Sequence, residues 1–152
     1  MQTQEEIKQL EAIIQESLAE AKKQGATSAS SGLSVDTGLS VNVRLGEVDT
    51  IEHHRSQGLG VTVYFGQKKG SASSTDLSLN SIKETVTAAC SIARYTNDDK
   101  YAGLPDAKRL ATEFKDLELY HPWQLDADDA VDIAIRCEDS ARQYDAEISN
   151  SE

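Results

Sequence analysis

Three histidines, two cysteines and a cluster of serines are the side chains of this 152-residue sequence that could take part in metal, nucleophilic or acid–base chemistry. A zinc peptidase site usually needs two histidines one helical turn apart with a glutamate as base, as in H-E-x-x-H. His53 and His54 are adjacent instead. In the strand that their surroundings predict, at its end, their side chains point to opposite faces and cannot chelate one ion together. His121 precedes Pro122 in a segment that reads as a loop and has no second ligand nearby in sequence. Ser71, Ser73 and Ser74 lie in an apparent strand without the G-x-S-x-G elbow of a serine hydrolase. Cys90 falls on the inner side of a helical pattern beside Val86 and Ala89, where packing is the expected role. The GQKKGS run, Gly66 to Ser71, has the wrong order for a phosphate loop and reads as a turn between strands. Gly58-Leu59-Gly60 lacks the third glycine of a dinucleotide fingerprint. No catalytic, cofactor-binding or metal-ligating residue is therefore assigned. Trp123 is expected to pack against the last helix.

The elements that carry these residues follow from periodicity. Ile7, Leu10, Ile14, Leu18 and Ala21 recur at helical spacing and predict a helix over about residues 4–24, with Gly25 as its stop. The period then becomes two. Leu33 and Val35 begin it, and Leu39, Val41, Val43 and Leu45 continue it with Ser40, Asn42 and Arg44 between them, a strand with one dry face. Gly46-Glu47 offers a turn, and Glu47 to His53 a returning strand. Leu59, Val61, Val63 and Phe65 form a second alternation, followed by a turn and a small polar strand, Ser71 to Thr75. Such short connections force antiparallel pairing. Ser78, or a Ser81–Glu84 capping box, opens a second helix with Ile82, Val86, Ala89 and Ala93 on one face. A short helix is possible near residues 106–114. Asp126, Asp128 and Asp129 place negative charge where a third helix, about 127–145, begins. Its stripe of Ala130, Ala134, Cys137, Ala141 and Tyr144 needs a partner surface and is expected to stay poorly buried.

These elements predict an α+β fold: an antiparallel sheet of two hairpins packed against helices, then the opening helix of a second domain. Val41, Val43, Val61 and Val63 are expected to share one dry face beneath Ile82, Val86 and Ala89.

Composition bounds the function. The chain is 38% hydrophobic and 27% charged, enough to build a core. The net charge of −11 is uneven: residues 1–112 carry 14 acids and 12 bases, residues 113–152 carry 12 acids and three bases. Nucleic acid and anionic membranes should repel such a chain. No stretch approaches the roughly 20 apolar residues of a membrane span, and no secretory signal is visible at the amino terminus. Cys90 and Cys137 do not suggest a disulfide framework, so a cytoplasmic location is expected.

Residues 34–78 contain VRLGEVDTIE and RSQGLGVTVYFGQKKGSAS in order, and ARYT follows at Ala93 to Thr96. This succession resembles the first domain of the PmbA/TldD family, also labelled modulator of DNA gyrase. HPW at His121 to Trp123 and the Cys137-Glu138 pair resemble its PmbA side, also called TldE. The resemblance implies an amino-terminal domain at residues 1–120 and the start of a second domain at 121–152, with the chain stopping at the entry to the next strand. It also implies a scaffold and interface role in a metallopeptidase that acts on small peptides or antitoxins. In that family zinc belongs to the TldD-type subunit, whose motif lies outside this sequence. A TldD-like subunit, a second copy of the chain and a peptide substrate are the implied partners. Two other classes compete: a module that captures peptides by strand addition to a free sheet edge, and an acidic modulator that binds DNA gyrase by mimicking DNA charge.

Overall fold

The computed structural model describes residues 2–119 and 121–150. Two glycine-containing turns organise it. Helix α1 (Gln2–Lys23) ends where Gly25 adopts φ +90°. The Gly25 and Ala26 amides then close onto the Lys22 and Ala21 carbonyls at 3.0 and 3.1 Å, a Schellman cap that satisfies the last turn. Strand β1 (Ser28–Arg44) turns through Leu45-Gly46 into β2 (Glu47–Phe65), which turns through Gly66-Gln67 into β3 (Lys68–Ser74). The three form one antiparallel sheet in the order β1-β2-β3. The two expected hairpins are therefore one meander that shares β2. Glu47–His53 and Leu59–Phe65, expected as separate strands, are parts of one 19-residue strand.

Two compact units divide this chain. The first holds residues 1–35 and 56–112, the second residues 36–55 and 113–152. The boundary falls within both long strands, after Val35 in β1 and after Arg55 in β2. Helix α2 (Leu79–Tyr95) belongs to the first unit.

In the first unit, β2 pairs with β3 in the register Leu59↔Ser74, Val61↔Ala72, Val63↔Gly70. The face bearing Leu59, Val61 and Val63 packs on Ile82, Val86, Ala89, Cys90 and Ala93 of α2 and on Ala21 of α1. Helix α2 starts at Ser78, whose side chain accepts from the Ser81 amide. The Ser81–Glu84 box does not form: Ser81 Oγ lies 2.9 Å from Ser74 Oγ, and Glu84 accepts from Asn80 Nδ2 at 2.7 Å. On α1, Leu10, Ile14 and Leu18 are half-buried and Ala21 buried, as expected, while Ile7 is about half exposed and Ser17, outside the expected stripe, is fully buried. Ser17 Oγ donates to the Ile14 carbonyl at 2.7 Å and lies 2.8 Å from Ser31 Oγ, which makes its burial tolerable. Arg94 ties the layers together, donating to the Gln24 carbonyl at 2.9 Å and lying 5.0 Å above the Phe65 ring. The possible helix at 106–114 contracts to one 3₁₀ turn, Ala107–Arg109, capped by Asp106.

Val43 and Val41 correct the expected core. Val43 is buried and Val41 half-buried, but both belong to the second unit, not to the cluster beneath α2. Period two placed them on a dry face without saying which helix dries it.

At Gly70 the backbone of α2 lies against the sheet. A Cβ there would lie 2.2 Å from the Ala89 carbonyl oxygen and 2.4 Å from the Ala93 amide nitrogen, both backbone atoms. Gly70→Ala should therefore force the helix away and destabilise the first unit by about 1–3 kcal/mol, read as a lower urea midpoint. An unchanged midpoint would disprove this contact.

Candidate functional site: a clamped hairpin tip

The β1–β2 turn carries an unusual residue. Leu45 adopts φ +54° and Gly46 φ +82°. Two successive positive φ values define a type I′ turn, the two-residue connection whose twist matches the flanking strands. Glycine enters this region freely, but leucine does so at a cost of about 1–3 kcal/mol. A carboxylate offsets that cost. Glu138 Oε1 accepts the Leu45 amide, and Glu138 Oε2 accepts the Gly46 amide at 2.7 Å. Consecutive backbone N–H groups in such a turn make a small anion-binding concavity, and bonds to a charged acceptor exceed neutral ones in strength. Glu138 is only 7% exposed.

Helix α3 (Ala127–Tyr144) delivers this carboxylate. Its first turn is capped by Asp126, which accepts from the Asp129 amide at 2.9 Å. Ala134, Cys137 and Ala141 line a groove with Val41 and Val43. The stripe expected to stay poorly buried is half-buried at Ala130 and Ala134 and exposed at Cys137, Ala141 and Tyr144; Glu138, beside it, is the buried residue of α3. Two short words that sequence reading singled out separately, VRLGE and Cys137-Glu138, are joined by this clamp. Its pattern offers no nucleophile and no proton-transfer pair; what it does is fix a helix to a strained turn.

The remaining chemically capable residues lie apart from one another. His53 and His54 sit within β2, not at a strand end, and both are exposed. The His54 ring lies across Gly38, where a Cβ would come within 2.1 Å of its Cε1. His121 is exposed, outside any helix or strand. Among the described residues, no group of three or more His, Cys, Asp or Glu side chains could hold a metal ion. Ser71 Oγ is 2.9 Å from Thr62 Oγ1. Burial pushes the Cys90 thiol above its ordinary pKa, opposed by Arg94 and reinforced by Glu20, so Cys90 is a packed thiol. Cys137 is exposed. Trp123, expected against the last helix, borders a groove with Ile133 and Arg136 of α3 but stays 74% exposed. No helix among the described residues is long and apolar enough to cross a membrane.

Comparison with known proteins gives this arrangement its relatives. Residues 32–93 match the family model described as PmbA/TldA metallopeptidase domain 1. Over 135 residues, 89% of this chain, the sequence is 47% identical to the metalloprotease PmbA of Escherichia coli O157:H7. Over 131 residues it is 44% identical to the PmbA homologue of Haemophilus influenzae. The chain spans 29% of the length of each. Two solved structures share the fold. A Bacteroides thetaiotaomicron protein named for modulation of DNA gyrase superposes with a TM-score of 0.78 at 22% identity, over 86% of this chain and 30% of that one. TldE of Thermococcus kodakarensis gives 0.65 at 15% identity, over 88% and 30%. The fold is thus that of the first domain of a metallopeptidase family. The chain belongs to the PmbA/TldD family, and the relatives it matches by sequence are named PmbA.

Proposed function

We propose that this chain is the amino-terminal scaffold and interface domain of a PmbA/TldE-like component of a TldD/PmbA-type zinc metallopeptidase. In this reading the first domain ends near residue 120 and residues 121–152 open the next. Zinc belongs to a TldD-like partner subunit, the assembly works in the cytoplasm, and its substrates are small peptides or antitoxins. The 47% identity to a protein named metalloprotease PmbA, over 89% of the chain, is the observation that carries it. The test is co-expression with the TldD-type subunit of the same organism. Co-elution of the two on gel filtration is the expected result, with no peptidase activity and no stoichiometric zinc in the chain alone. Tight one-to-one zinc binding by the chain alone, lost on replacing His53, His54 or His121, would overturn it, as would failure to co-elute.

A second reading, peptide capture by strand addition, has one observation in its favour. β1 is an outer strand of the sheet, and its 17 residues contain neither proline nor lysine, the usual protections of an edge.

A further inference from the structure

A two-residue hairpin turn leaves its own two N–H groups outside the strand ladder, so they need an acceptor from elsewhere. In this chain both go to one carboxylate. The Leu45 amide donates to Glu138 Oε1 and the Gly46 amide to Glu138 Oε2. Glu138 lies 93 residues beyond Leu45 in sequence and is the buried residue of α3.

The turn does not owe its shape to that carboxylate. Gly46 takes φ +82° without strain, and the flanking strands supply the twist that a type I′ turn matches. Close to the tip, Asn42 Nδ2 donates to Thr50 Oγ1 across the strands at 3.1 Å, a tie in which α3 has no part. The two N–H groups are therefore set in place before any acceptor arrives.

We propose that the hairpin tip is a preformed carboxylate-binding site and that Glu138 is its ligand, tethered through α3. The chemistry selects a carboxylate. Two neighbouring donors match the two oxygens of one carboxylate, as in a bidentate pair. Val43, Ala134 and Ala141 line the groove that Glu138 also lines. Apolar walls suit a singly charged group with a small body; a phosphate dianion would lose more hydration there than two N–H groups return. The tether accounts for the docking of a helix whose other side chains stay exposed or half-buried, because an intramolecular ligand acts at high effective concentration. The inference rests on the turn and its acceptor and does not depend on the peptidase assignment.

The test removes the tethered ligand and supplies a free one. Sodium formate is titrated into the full 152-residue chain carrying Glu138→Ala while amide resonances are followed by heteronuclear NMR, with sodium chloride at equal ionic strength as reference. The Leu45 and Gly46 resonances should move saturably towards their wild-type positions, and acetate should act in the same way. Formamide, of similar shape but uncharged, should bind at least about tenfold more weakly. In the wild-type chain formate should leave both resonances in place, because Glu138 fills the site. A second host, Glu138→Ala with Leu45→Asn, holds the tip through the Asn-Gly pair that this turn favours. Its amides at positions 45 and 46 should shift on adding formate with at least the affinity of the first host. Resonances that stay unmoved by formate in both hosts would overturn the proposal. So would formamide binding as tightly as formate, or formate shifting the wild-type amides to the same extent.

Discussion

Val61→Asp is expected to abolish the folded core of the first unit. Val61 is 1% exposed, faces Ala72 across the β2–β3 pair and belongs to the same buried cluster as Ile82 and Val86. A carboxylate at that position loses its hydration and gains no partner, at a cost of several kcal/mol. That is comparable with the whole stability of a small domain, about 5–15 kcal/mol. Thr62→Asp, one residue on and on the opposite face, should cost no more than about 1 kcal/mol, chiefly the bond between Thr62 and Ser71. Val43→Asp is the informative third variant. It places a carboxylate beneath α3, not beneath α2, so its loss should fall on the second unit. Hydrogen exchange resolves the two: amides of α2 should lose protection in Val61→Asp and keep it in Val43→Asp. Equal loss in both variants would mean a single cooperative core and would refute the division of the hairpin between two units.

That contrast also shows which parts of the fold the sequence makes legible. Alternation of period two located the strands, and the helical stripes located α1, α2 and α3, because each is a local signal written in consecutive residues. The Ser78 cap, the acidic start of α3 and the Gly25 stop were legible for the same reason. What was not legible is long-range. Nothing in Leu39 to Leu45 says that its dry face meets a helix some 90 residues later. Gly70 reads only as one small residue in a polar strand until the backbone of α2 is placed above it. Ser17 looks like a polar interruption of an apolar stripe until Ser31 and the Ile14 carbonyl supply its partners. Trp123 failed in the opposite direction: size and aromaticity argued for burial, and the structure leaves it in solvent.

Glu138 is the residue whose importance the sequence conceals most, and its removal should have the second-largest effect. Glu138→Ala leaves the Leu45 and Gly46 amides without their acceptor, in a turn that already holds a leucine at positive φ. Losing bonds to a charged acceptor costs about 1.5–3 kcal/mol each, reduced where water can reach the freed amides. A total of about 2–4 kcal/mol is expected, borne by the second unit, with α3 losing exchange protection while α2 keeps it. Glu138→Gln should recover only part of this. Its amide keeps one oxygen acceptor but turns an NH₂ donor towards the second N–H group. A compensating change separates the clamp from simple packing. Leu45→Asn installs the Asn-Gly pair that type I′ turns favour, and it gives up little burial because Leu45 is already half exposed. In the Glu138→Ala background it should restore about 1 kcal/mol by relieving the turn itself. If Glu138→Ala left α3 fully protected, or if Leu45→Asn gave no more stability in that background than a substitution elsewhere on the hairpin, the carboxylate would be a bystander. The tip of the hairpin would then be held by Val43 and the alanines of α3 alone.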